Sequence, residues 1–183
     1  FLEDVFTAND YGYNPPAQVL NEPPATPYLI TEFGPLTDPR RTASMDIQVR
    51  FALVHAEILN AAFGHPRVAG AIGWCAFDYH TQDWVSVDGI QPWGMTDVFR
   101  APKLAAAVYA SQADPAVRPV LEAATRWKVG DAAGFDPNEQ TMKAGHAAPL
   151  VVFSNCERVQ VHIGGKLRGE FQPARDRFPH LPT

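Results

Sequence analysis

Short apolar runs and one long amphipathic stretch follow one another along the first 112 residues. Three runs have the length and composition of β-strands: residues 4–8, 28–33 and 68–74. Between the second and third runs, apolar residues recur at steps of three and four, which predicts a helix over residues 44–63. Pro102 opens a shorter predicted helix over residues 103–111, after a loop over residues 78–100. Strands that alternate with helices indicate β/α units, as in a barrel or a doubly wound sheet.

The third apolar run differs from an ordinary half-buried strand. Residues 68–74 are apolar on both faces and rich in small side chains. That pattern is typical of a strand inside a barrel, with a helix packed closely on its outer face. We therefore expect this run to be a central strand.

The pattern changes beyond Asp114, where prolines interrupt the chain and no long helical period survives. Residues 151–153 and 158–163 have β-like patterns. In the second of these, alternation is expected to place three apolar residues on one face: Val159, Val161 and Ile163. The Gly-Gly pair at 164–165 predicts a hairpin turn, whereas residues 176–183 have no strand pattern. We expect a domain boundary near residue 114.

Composition narrows the class of function. The formal net charge of -5 and the pI near 5.6 argue against a nucleic-acid or anionic-membrane surface. No apolar run approaches the roughly 20 residues of a membrane-spanning helix, and the first residues do not resemble a signal peptide. We expect a soluble protein, either cytoplasmic or secreted. Cys75 and Cys156 form no metal-binding or disulfide pattern, so reduced, buried thiols are expected, with neither metal nor cofactor.

Glu32 is the only carboxylate at the C-terminal end of a predicted barrel strand. In β/α barrels, active sites are built at this end of the strands. Position alone leaves two interpretations, a strand-end acid paired with an arginine or a functional carboxylate.

The Ile-Thr-Glu-Phe-Gly segment at residues 30–34 resembles the strand-seven motif of glycoside hydrolase family 2, in which this Glu is the nucleophile. Four further segments resemble the same family in the same order: residues 9–11 (Asn-x-Tyr, strand six), 69–79 (strand eight), 93–103 (closing loop and helix) and 153–166 (hairpin of the following β-sandwich). One departure is Gly164, where the family usually has Asn.

The resemblance implies a fold and an activity. Residues 1–114 would be the C-terminal part of a TIM (β/α)8 barrel, strands six to eight, and residues 115–183 the truncated start of an immunoglobulin-like β-sandwich. The longer parent protein would be a retaining exo-β-glycosidase that binds a carbohydrate substrate, with β-galactosidase favoured. β-Glucuronidase, β-mannosidase, a β-mannanase-like enzyme and a non-catalytic carbohydrate-binding homologue are the alternatives. Homo-oligomerisation of the full-length protein is left open.

The resemblance also assigns roles to individual residues. Glu32 would be the nucleophile, and the Tyr11 hydroxyl would hydrogen-bond it. Substrate contacts would come from five further residues: Asn9, Trp74, Asp78, Tyr79 and His80. From the residues alone, Tyr11 also fits a turn tyrosine and Trp74 also fits core packing.

A retaining glycosidase needs a second carboxyl as general acid/base. The Asn-Glu pair at residues 21–22 resembles the motif that carries the acid/base in the barrel clan of this family, at the end of strand four. It lies only ten residues before Glu32. Strands four and seven of a barrel should be separated by three units of roughly 30 residues each. This spacing argues against Glu22 as the acid/base, which is expected upstream of this chain. The mid-helix His55 is predicted to serve helix packing, and His65 to lie in a surface turn.

Overall fold

The computed structural model describes residues 4–11, 26–34, 45–81, 86, 88–124 and 150–182. Glu22 lies outside the described residues. The elements in chain order are β1 (Phe6–Asn9), β2 (Tyr28–Phe33), α1 (Met45–Gly64), β3 (Val68–Gly73), β4 (Tyr79–His80), β5 (Ile90–Gln91), α2 (Leu104–Ala110), β6 (Leu121–Ala123), β7 (Val152–Ser154), β8 (Val159–Ile163) and β9 (Lys166–Phe171).

The first three strands form one parallel sheet in the order β1-β2-β3, with α1 connecting β2 to β3. The predicted strand over residues 28–33 is confirmed at both ends, and both predicted helices are confirmed to within one residue at each end. The β1–β2 register places Asn9 opposite Glu32, with a shift between Ala8 and Asn9. Because parallel strands end at the same edge of a sheet, the residues that follow β1, β2 and β3 come together there.

The prediction of a central third strand is wrong for the described part of the chain. β2 occupies the centre of the sheet, and β3 lies at its edge. Ile72, on β3, is 54% exposed. Within the described residues no further strand pairs with the outer edge of β3. Ala69 and Ile72 are exposed, whereas Val68 and Ala71 pack partly against the core.

The hydrophobic core lies between the sheet and the two helices. It contains buried side chains of β2, α1 and α2, among them Tyr28, Ile30, Phe33, Phe51, Ala52, Leu59, Ala105 and Val108. Leu181, near the end of the chain, also belongs to this core. In the same region Arg177 pairs with Glu57 on α1, so the segment around residues 177–181 packs against α1. None of the described helices combines the length and the apolar character required to cross a membrane.

Beyond residue 114 the described strands pair only in antiparallel fashion, β6 with β7 and β8 with β9. The predicted hairpin turn is confirmed, with Gly164 and Gly165 at φ values of 58° and 76°. Val159 and Val161 are half-buried, whereas Ile163, which directly precedes the Gly164–Gly165 turn, is 61% exposed. The described chain is thus a mixed α/β fold, with parallel pairing in β1–β3 and antiparallel pairing in all later strands.

Candidate active site

Glu32 accepts hydrogen bonds from two side chains at the end of the neighbouring strand, β1. Tyr11 donates from its hydroxyl to Glu32 Oε2 at 2.7 Å, and Asn9 donates from Nδ2 to the same oxygen at 2.9 Å. Thr31 Oγ1 donates to Asn9 Oδ1 at 2.9 Å, which fixes the orientation of the Asn9 amide. The parallel register creates this arrangement, because β1 ends beside Glu32 and the Asp10 backbone N–H continues the pairing onto the Glu32 carbonyl oxygen at 2.8 Å.

The Tyr11 hydroxyl is a firm proton donor in this arrangement. Its pKa is raised above the usual value of 10.0, first by burial and then by the hydrogen bond to Glu32 and the negative charge of that carboxylate. A raised phenol pKa means that the hydroxyl keeps its proton at neutral pH. Tyr11 therefore donates to Glu32 throughout the neutral range.

Trp74 and Tyr79 lie beyond the carboxyl end of the next strand, β3. The Trp74 backbone N–H donates to the Phe33 carbonyl oxygen at 2.7 Å, which ties the end of β3 to the residue after Glu32. The Trp74 indole donates to the Tyr79 hydroxyl at 3.4 Å, and the two rings meet edge to face with centroids 6.0 Å apart. Tyr79 also acts electrostatically on Tyr11, so the aromatic pair of Trp74 and Tyr79 lies next to the cluster formed by Asn9, Tyr11 and Glu32.

Cys75 lies near the cluster of Asn9, Tyr11 and Glu32 and is not among the site residues predicted from the sequence. Burial raises the pKa of its thiol. The backbone hydrogen bond with Phe77 and the positive charge of Lys103 oppose this rise, whereas the negative charges of Asp78 and Glu32 add to it. The thiol donates to the Phe77 carbonyl oxygen at 3.3 Å. Both cysteines are free, as predicted, but they are half-buried rather than buried. The position of Cys75 directly after Trp74, at a strand end, is the sequence feature that could have placed it near the site.

Asp78 is engaged by contacts within the chain. It is buried, and its Oδ1 accepts a hydrogen bond from Lys103 Nζ at 2.6 Å and another from the Gly94 backbone N–H at 2.8 Å. Lys103 Nζ also donates to the Pro92 carbonyl oxygen at 3.0 Å. These contacts fasten the segment at residues 92–103 to the residues that follow β3, and the substrate contact expected of Asp78 stays a prediction.

Comparison with known proteins extends this local picture to the whole chain. The chain is 36% identical over its full length to the β-galactosidase of Thermoanaerobacterium thermosulfurigenes and 36% identical over its full length to the β-galactosidase of Rhizobium meliloti, and it spans 25% of each relative. The chain belongs to glycoside hydrolase family 2. The crystal structure of the Parabacteroides merdae β-glucuronidase superposes on 84% of the chain and 20% of that protein, with a TM-score of 0.56 and 16% identity, which supports the fold alone. No protein-family profile matches the chain.

Strand geometry separates His80 from the aromatic pair Trp74 and Tyr79. Consecutive side chains of a strand point to opposite faces. Tyr79 turns toward Trp74, so the neighbouring His80 points away, and it is exposed. The structure therefore does not bring His80 together with Glu32, Tyr11 and Trp74. Among the described residues no group of three His, Cys, Asp or Glu side chains could hold a metal ion.

The Asp78–Lys103 ion pair is expected to contribute strongly to stability. Both side chains are largely buried, at 9% and 13% exposure, so Asp78→Asn leaves an uncompensated buried ammonium group. We expect a loss of about 3 kcal/mol in the free energy of unfolding, measured by urea denaturation. Glu170→Gln is the matched control, because it breaks the exposed pair with Arg158 and should cost about 0.5 kcal/mol or less. Equal losses in the two variants would contradict the assignment.

His55 is a buried core residue of α1, which confirms the packing role predicted for it. Burial lowers its pKa to about 3, and the positive charge of Lys103 acts in the same direction. In the unfolded chain a histidine has a pKa near 6.5. At pH values between these two pKa values, His55 binds a proton in the unfolded chain but not in the folded chain. Stability is therefore fully present above the unfolded pKa and decreases as the pH falls toward the folded pKa.

Removing this histidine should make the fold less sensitive to acid. His55 opposes folding by up to about 1.4 kcal/mol for each pH unit below about 6. We expect His55→Asn to lose less stability than the wild type between pH values of about 6.5 and about 4, in urea unfolding followed by tryptophan fluorescence. His162→Asn, at an exposed position, should retain the wild-type slope. Parallel slopes for His55→Asn and the wild type would refute the prediction.

Proposed function

We propose that this chain forms part of a retaining exo-β-glycosidase in which Glu32 is the nucleophile. The observation that carries the proposal is the placement of Glu32 at the carboxyl end of a parallel sheet, with two hydrogen-bond donors on one of its oxygens. Tyr11 and Asn9 both bond Oε2, and within the described residues no donor bonds Oε1. The carboxylate is thus oriented through one oxygen while the other remains available for attack.

The reaction assigned to this geometry proceeds in two displacements. Glu32 attacks the anomeric carbon as the bond to the leaving oxygen breaks, and a general acid protonates that oxygen. Water then hydrolyses the glycosyl ester with the help of the same second group, which now acts as a base. The two carboxyls of a retaining enzyme lie about 5 Å apart. We place this second carboxyl outside the present chain, in an earlier barrel strand.

The fold that we propose for this enzyme is a TIM barrel, in which β1, β2 and β3 are strands six to eight. The edge position of β3 supports this placement, because within the described residues its outer edge has no partner strand and strand eight of a closed barrel pairs there with strand one. We further propose that residues 1–114 belong to the barrel and that residues 115–183 begin an immunoglobulin-like sandwich. The exclusively antiparallel pairing of the later strands supports that division.

We propose a β-galactoside as the substrate. The two β-galactosidase relatives, each 36% identical to the chain, support this choice over a mannoside or a glucuronide. Charge supports it as well. The cation that acts on Cys75, beside Glu32, is Lys103, and its charge is already matched by Asp78. A uronic acid would bring a carboxylate for which this pair offers no free cation. Trp74 offers an apolar face for the C–H groups of a neutral sugar.

Covalent trapping tests the nucleophile directly. A 2-fluoro galactoside with a good leaving group forms the glycosyl ester by releasing that group, and the fluorine slows hydrolysis of the ester. The ester therefore accumulates, and the labelled residue can be identified by peptide mass spectrometry. We expect the label on Glu32 in the full-length protein. A label on another carboxylate would disprove the assignment of Glu32, and an unlabelled protein that still binds galactose would indicate a non-catalytic homologue.

The isolated chain is expected to be inactive. Residues 1–183 provide a nucleophile but, in this proposal, neither the acid/base nor the remaining barrel strands. We expect no release of nitrophenol from an aryl β-galactoside by the purified chain under conditions in which the full-length protein turns over. Turnover by the isolated chain would show that its own residues include an acid/base.

A further inference from the structure

A hydrogen-bonded pair of polar side chains lies in the core at the ends of β2 and β3. His55 on α1 is fully buried, and its Nδ1 is 2.9 Å from the Tyr109 hydroxyl on α2. The imidazole is surrounded by aromatic rings, with centroid distances of 5.4 Å to Phe33, 4.8 Å to Phe51 and 5.8 Å to Tyr109. The pair therefore joins both helices at the residue that follows Glu32.

Two glycines allow the pair to touch the backbone of the strand ends. A Cβ atom on Gly73, directly before Trp74, would lie 2.0 Å from the Tyr109 hydroxyl oxygen and 3.4 Å from His55 Cε1. A Cβ atom on Gly34, two residues after Glu32, would lie 2.9 Å from the Trp74 carbonyl oxygen and 3.5 Å from His55 Cε1. Neither position has room for a side chain, so the imidazole and the phenol support the backbone itself.

We propose that His55 and Tyr109 are positioning residues that fix the carboxyl ends of β2 and β3, and so hold Glu32 in place relative to Trp74. The inference rests on the proposed role of Glu32. The two strand ends are already joined by the Trp74 N–H bond to the Phe33 carbonyl oxygen, at 2.7 Å. His55 and Tyr109 support this junction from the helix side, where a shift of either ring would move both strand ends together.

The polarity of the pair argues for positioning rather than for simple space filling. His55 Nε2 is buried and has no hydrogen-bond partner among the described residues. Leaving a buried polar atom unpaired costs stability, which an apolar side chain of similar size would avoid. What the imidazole adds is a directional bond to Tyr109, which sets where each ring stands. Proteins retain locally unfavourable groups of this kind mainly at functional sites.

The kinetic test compares variants of the full-length protein on an aryl β-galactoside. His55→Leu and Tyr109→Phe remove the hydrogen bond, and we expect kcat to fall roughly 10- to 100-fold with KM changed by no more than about twofold. His55→Asn keeps a polar group close to the position of Nδ1 and should recover part of kcat. Leu59→Val, a buried change one turn further along α1, should leave kcat unchanged. Wild-type kcat in both His55→Leu and Tyr109→Phe would overturn the inference.

Amide hydrogen exchange provides a readout that does not depend on catalysis. In Tyr109→Phe, the amides of residues 68–76 should exchange faster than in the wild type and faster than in Leu59→Val. Absence of hydrolysis by the wild-type protein would contradict the proposed function alone, and exchange would then decide the positioning role. Unchanged exchange over residues 68–76 in Tyr109→Phe would overturn that role.

Discussion

Replacing Glu32 by Gln in the full-length protein is expected to lower kcat/KM for an aryl β-galactoside by a factor on the order of 10⁴ or more. The amide has nearly the same shape as the carboxylate, and its oxygen can still accept the hydrogen bonds from Tyr11 and Asn9. It cannot, however, form a stable glycosyl ester. The variant should therefore fold normally and lose the chemical step, as measured by steady-state kinetics beside a thermal unfolding curve.

Glu57→Gln is a suitable control for this experiment. Glu57 lies on α1 and pairs with Arg177, and neither residue belongs to the cluster of Asn9, Tyr11 and Glu32. Replacing Glu57 should therefore change kcat/KM by no more than about twofold. A further test uses Glu32→Ala with added azide. The small anion should enter the vacated space and attack the anomeric carbon, giving the α-glycosyl azide. Retention of more than about a tenth of the wild-type activity by Glu32→Gln would contradict the nucleophile assignment.

The sequence predicted the larger elements well because their patterns are long. The stepwise apolar recurrence over α1 and the apolar run of β2 each specify an element without help from the rest of the chain. The pattern predicts one loop over residues 78–100 and misses the strands Tyr79–His80 and Ile90–Gln91, since two residues cannot show a period. The central position predicted for β3 is wrong for another reason. Its apolar pattern reflects burial on both faces, whereas the described chain provides cover on one side only.

The site was partly accessible from sequence for a similar reason. Strand ends can be located, so Asn9, Glu32 and Trp74 could be expected at one edge of the sheet. Side-chain partners across long separations could not be predicted. Asp78 and Lys103 are 25 residues apart, and only the folded chain shows that the carboxylate binds an ammonium group. The bond between His55 and Tyr109, across 54 residues, is a second case.

Tyr11→Phe is expected to lower kcat roughly 10²-fold, because one hydrogen bond to the proposed nucleophile Glu32 disappears while the ring remains. The bond is short, at 2.7 Å, and the raised pKa of Tyr11 keeps its proton in place. Without it, Glu32 Oε2 retains only the Asn9 donor, and the carboxylate can rotate away from the line of attack. Steady-state kinetics together with the rate of 2-fluoro galactosyl trapping would show that formation of the ester is slowed.

Comparison with Tyr79→Phe separates orientation of the nucleophile from binding of the sugar. The Tyr79 hydroxyl accepts the Trp74 indole N–H and makes no hydrogen bond to Glu32, so its removal should raise KM more than it lowers kcat. In Tyr11→Phe the opposite division is expected, since the lost bond acts on the nucleophile. If both variants raise KM with kcat preserved, Tyr11 contributes to the sugar pocket alone, and Asn9 must orient Glu32. Asn9→Ala would then show the larger fall in kcat.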